Sequence, residues 1–166
     1  VDSTDQEIYY VYARGHLDST WTDPAKAVKR ADKQMGVVLN REQQYVWERG
    51  NVKTQYTMNT EDVPEIIRSG SWDKDKLQEG LGSAGTIIDL TGCSLENILY
   101  EVSAQRAVIA KTGADSSVVI VGFDEYNTYI MDPSTGEVKP YGMNDSTTLF
   151  QKAGNVFITY LDNNPK

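Results

Sequence analysis

The chain has 166 residues, 39% hydrophobic and 24% charged, enough for one ordinary core with a small appendage. Its net charge of -8 and pI near 4.6 would repel a phosphate backbone, which argues against nucleic acid as a partner. One cysteine, Cys93, rules out an internal disulfide framework and a Cys-rich zinc site, and no apolar run is long enough for a membrane-spanning helix.

The first seven residues are polar and lack a Met, the look of a mature or fragment boundary, and no signal peptide is visible. Ile8 to Ala13 (IYYVYA) is aromatic and β-branched and predicts a strand. Gly15 to Thr22 reads as a loop. Asp23-Pro24 then opens a helix, with Asp as N-cap and Pro at the first helical position. Ala27, Val28, Ala31 and Met35 mark one face of it, and Gly36 ends it. Val37 to Leu39 is a strand, 40–42 a turn, and Gln43 to Glu48 a returning strand. Residues 8–50 therefore predict a small β-α-β-β unit.

Residues 51–59 are polar, a linker or an irregular strand. Thr60 to Glu65 looks like a helix start, with Ile66 and Ile67 inside and Gly70 as the stop. Asp73 to Leu81 predicts another short helix, and Thr86 to Leu90 a short apolar segment. Ser94 is a natural N-cap for a helix over 95–103, with Leu95, Ile98, Leu99 and Val102 on one face. Three strands follow: 107–110, 117–123 and 128–131. The run Val118-Val119-Ile120-Val121 asks for burial on both faces, which predicts the central strand of the core. Asp132-Pro133-Ser134-Thr135-Gly136 is a turn by composition. A last helix over 143–153, capped by Asn144, Asp145 or Ser146 with Leu149 and Phe150 inward, precedes a closing strand over 155–161. The tail after it reads as disordered.

The order from Ser94 onward carries a resemblance. A helix leads into Arg106-Ala107-Val108-Ile109-Ala110. A strand follows, Ser116-Ser117-Val118-Val119-Ile120-Val121-Gly122-Phe123-Asp124, then one ending in Met131-Asp132-Pro133, then Gly136. This resembles the papain-like fold and, within it, the C39-like peptidases of bacteria, over roughly 95–138. The resemblance implies an α+β papain-like domain over 58–161 behind the small first unit. The resemblance, with the fragment-like start, predicts an extracellular or cell-surface setting, and no cofactor is expected. In that family a cysteine thiolate attacks a peptide carbonyl, a histidine opening the Val-rich strand takes the proton, and the Asp-Pro aspartate orients it. Here the aspartate position holds Asp132 and the histidine position holds Ser116. A serine hydroxyl does not serve as a general base for a thiol near neutral pH. The nucleophile position, earlier in the family, has no cysteine. Cys93 stands only 23 residues ahead of Ser116, at a predicted helix start, where a thiol can be activated; a lone cysteine between apolar elements is more commonly inert.

The sole histidine, His16, lies outside the matched region and is a remote candidate for a base with Cys93 and Asp132. Asp73, Asp75 and Glu79 are interleaved with lysines and read as a solvated helix face. Asp124 to Asn127 and Asn144 to Ser146 lack calcium-loop spacing. Gly80, Gly82 and Gly85 fit a dinucleotide pattern in letters only, since they neither follow a strand nor open a helix. The tyrosines and tryptophans of 9–47 form the first unit's core, with an exposed fraction available to a peptide or glycan. Three functions are open: a non-catalytic peptidase-like module binding a peptide or protein, a thiol peptidase or transglutaminase-like enzyme using Cys93, and a purely structural domain. The oligomeric state is left open.

Overall fold

A computed structural model describes residues 7–49 and 53–163, and the chain divides into two compact units, 1–52 and 53–166. The fold is mixed α+β with two antiparallel sheets. Among the described residues no helix is long and apolar enough to cross a membrane.

In the first unit, β1 (Tyr9–Ala13), β2 (His16–Trp21), β3 (Val37–Leu39) and β4 (Tyr45–Glu48) form a sheet in the order β2-β1-β3-β4. Helix α1 (Pro24–Gln34) packs against it, burying Ala27, Val28 and Ala31 in a core with Val11, Val38 and Trp47. The helix starts as its sequence dictates: Asp23 accepts from the Ala25 amide (2.9 Å) and Pro24 follows.

The expected β-α-β-β order is corrected to β-β-α-β-β. Residues 16–21 are not a loop but β2, paired along β1 from Ala13↔His16 to Tyr9↔Trp21. Arg14 and Gly15 both take left-handed backbone (φ 57° and 83°), the two-residue turn whose twist suits a hairpin. The end of α1 is also corrected. Met35, expected inward, is 75% exposed and itself takes the left-handed cap (φ 59°). Gly36 is needed for another reason: a Cβ there would overlap the Tyr12 carbonyl oxygen of β1.

The second unit opens with a short strand, β5 (Tyr56–Thr57), then α2 (Glu65–Arg68), α3 (Lys74–Leu81), β6 (Gly85–Asp89) and α4 (Leu95–Ser103). Then come β7 (Val108–Lys111), β8 (Ser117–Phe123), β9 (Asn127–Met131), β10 (Val138–Gly142), α5 (Met143–Lys152) and β11 (Phe157–Asp162). The sheet order is β10-β9-β8-β7-β11-β6, and β5 pairs with the end of β8 that β7 does not reach. Val119, Ile120 and Val121 are fully buried and Val118, at the strand's outer end, is half-buried, so most of the β-branched run lies inside the sheet as its composition asked. Ser94 caps α4 in a reciprocal pair with Asn97.

Two local features depart from the sequence pattern here. Strand β10 carries no strand signature, because Lys139-Pro140-Tyr141 spoils it; Pro140 is tolerated since β10 is the sheet's edge. No side chain caps α5. Ser146 turns inward instead and shares a buried hydrogen bond with Thr128 (2.8 Å).

Candidate functional site

The end of the β7-β8-β9 sheet carries the positions of interest. Across the β7–β8 hairpin, Lys111 pairs with Ser117, and the Thr112 amide donates to the Ser116 carbonyl (2.9 Å). Ser116 is exposed there, and its hydroxyl accepts from the Thr112 hydroxyl (2.8 Å). On the other side Val119 pairs with Met131, so one step further sets Asp132 opposite Val118. Side chains alternate between faces along a strand, which puts Asp132, Val118 and Ser116 on one face. Asp132 is then diagonal to Ser116, a separation of about 7–8 Å that long side chains span. A serine hydroxyl, one bond beyond Cβ, does not span it.

The opposite face has its own cover. Ser117 donates to the Gly70 carbonyl (2.6 Å), and both Ser117 and Pro133 pack against the Gly70 backbone. Their shared neighbour agrees with the register that pairs 117 with 133. The Lys111 ammonium lies over the Trp72 ring, 4.8 Å from its centroid. The chain over 70–72 thus closes one face of the hairpin, and Ser116 and Asp132 lie on the other.

Asp132 is held by its own turn. Its carboxylate accepts from the Ser134 hydroxyl (2.7 Å) and amide (2.9 Å), while its carbonyl accepts from Thr135 and Gly136. The Ser134 hydroxyl first, and then its amide, keep the carboxyl below the usual carboxylate range. It is a charged acceptor at neutral pH, half-buried and next to the strand end where the resemblance sets the orienting group.

Cys93 lies elsewhere. It follows β6, its amide donates to the Leu90 carbonyl (3.0 Å), and it is fully buried. Strands β6 and β8 are separated by β11 and β7, three spacings or about 14 Å. A buried thiol offers no line of attack to a carbonyl arriving from solvent. His16 is exposed at the start of β2, opposite Ala13, in the first unit. Within the second unit the sheet therefore sets Asp132 diagonal to Ser116 on one face and leaves Cys93 apart from them.

One polar feature escaped the sequence reading. Glu101, on the buried side of α4, accepts from Arg106 Nε (3.0 Å) and Nη2 (2.8 Å) through a single carboxylate oxygen, leaving the other buried without a partner. Burial pushes the Glu101 carboxyl up, against the pull of Arg106. The signal was present: Glu101 falls three residues after Ile98, on the apolar side of the helix, with an arginine five residues on.

No family model matches the chain, and no curated protein matches it. Among solved structures, a Bacillus anthracis protein that carries the C39-like peptidase name is similar at 20% identity with a TM-score of 0.46. The alignment covers 53% of this chain and 56% of that one, so the chain spans little more than half of that protein's length.

Proposed function

We propose that the second unit is a papain-like, C39-like module without peptidase chemistry, which binds a peptide or protein partner as part of a bacterial surface or secreted protein. One observation carries the reading: the charged Asp132 stands diagonal to Ser116 on the neighbouring strand, while the position that would need an imidazole holds a hydroxyl. The order of elements from Ser94 to Gly136 supports the family, and the burial of Cys93 supports the loss of its chemistry. A two-component thiol machine needs an accessible sulfur and a base within hydrogen-bond reach. A thiol enzyme working through Cys93 would need the sulfur carried to the surface.

The test has two arms. The folded protein is offered unstructured peptide substrates, and Cys93 is challenged with iodoacetamide at neutral pH. No cleavage and no labelling are expected; cleavage that disappears in Cys93→Ala would overturn the non-catalytic reading. In the second arm, amide shifts are followed while a peptide library is titrated in. Saturable shifts centred on Ser116, Asp132 and Ser134 are expected, and their absence across the library would remove the binding role.

A further inference from the structure

The outer edge of β6 is occupied by a side chain rather than by a strand. Leu90 donates to the Phe157 carbonyl, so alternate residues of β6 face β11, and Gly85, Ile87 and Asp89 present their backbone groups outward. An edge of this kind is a template for another chain. The Gln78 carboxamide fills it. Its oxygen accepts from the Ile87 amide (2.9 Å), and its nitrogen donates to the carbonyls of Gly85 (2.9 Å) and Gly82 (3.3 Å). Accepting from one residue and donating to the residue two before it is what a residue of a parallel partner strand would do with its C=O and N–H.

The geometry of α3 explains how one helix can do this. Four helical residues rise about 6 Å and two strand residues about 6.7 Å, so positions i and i+4 of a helix match alternate positions of an adjacent strand. Lys74 and Gln78 use that match. Lys74 reaches the Asp89 carboxylate (3.1 Å) while Gln78 reaches Ile87 and Gly85. Leu77, fully buried, anchors the helix. At the opposite edge, β10, the Asp132 amide donates to the Glu137 carbonyl, and Pro140, three residues on, lies opposite Tyr129 with its nitrogen outward. The residue that would donate there has no N–H.

We propose that Gln78 is a surrogate strand that locks the β6 edge against strand addition, and that a second copy of this chain is the strand it keeps out. Two measurements on the full chain test this, using Gln78→Ala and Gln78→Asn; the latter keeps the amide but is one methylene too short. The Ile87 amide should exchange about tenfold faster in both variants, while Thr86 and Ile88, which face β11, keep their protection and report an intact fold. Sedimentation should show concentration-dependent association beyond that of the natural chain. Unchanged exchange at Ile87 would overturn the lock. So would a folded variant, exposed at Ile87, that associates no more than the natural chain at any concentration.

Discussion

Single side chains decide what the candidate site can do. Serine at 116 is too short to engage a carboxylate diagonal to it, whereas an imidazole would reach. Ser116→His should therefore titrate above the ordinary histidine value of about 6.5, because the Asp132 carboxylate favours the charged ring. The double variant with Asp132→Asn should return it to that value; an NMR titration showing no difference between the two would mean the groups do not meet. Residues 35 and 36 separate two demands that are often met by one glycine. Gly36→Ala should cost about 3 kcal/mol, since the added methyl overlaps the Tyr12 carbonyl and backbone cannot swing away. Met35→Gly should stabilise by up to about 1 kcal/mol, because it relieves a left-handed residue on an exposed cap. Denaturant unfolding measures both, and equal effects would contradict the division.

At the scale of elements, the polar edge strand β2 is tied to α1 by a fork. Arg30 Nε and Nη2 donate to the two oxygens of Asp18 (2.8 and 3.1 Å). The Arg30 bonds first, and then the Ser19 hydroxyl, bring the Asp18 carboxyl down to about 2. A carboxyl depressed in the folded state adds stability above its unfolded value, near 3.8, and loses it as pH falls through the folded one. The acid limb of the first unit's stability curve should therefore steepen between about pH 4 and 2. Asp18→Asn should flatten it there, as read by circular dichroism or amide exchange; an unaltered limb would show that the fork does not contribute. The same strand shows why its existence was not legible. Its residues alternate no apolar face, and its turn uses Arg14-Gly15 where an Asn-Gly pair would have advertised a hairpin. Strand β10 was hidden in the same way by Pro140, whereas β8 and α4 were read at their full lengths from a β-branched run and a capped apolar face.

For the whole molecule, charge is divided unevenly between the units. Residues 1–52 hold seven Lys and Arg against eight Asp and Glu, while 53–166 hold nine against sixteen. The second unit's field is therefore repulsive to polyanions. The full chain should pass a heparin column at low ionic strength without salt-dependent retention; retention released by salt would show that the acidic balance does not govern its encounter with polyanions.

Signals confined to a few neighbouring residues were sufficient for the helix starts at Asp23 and Ser94, the buried run of β8, the Asp132 turn and the acidic balance. Each depends on backbone geometry or on charge that a short window already contains. The insertion of β11 between β7 and β6, the diagonal of Ser116 and Asp132, the burial of Cys93 and the closure of β6 by Gln78 are different in kind. They join residues from separate elements, and they exist only once faces have been matched across loops whose closure no local pattern encodes.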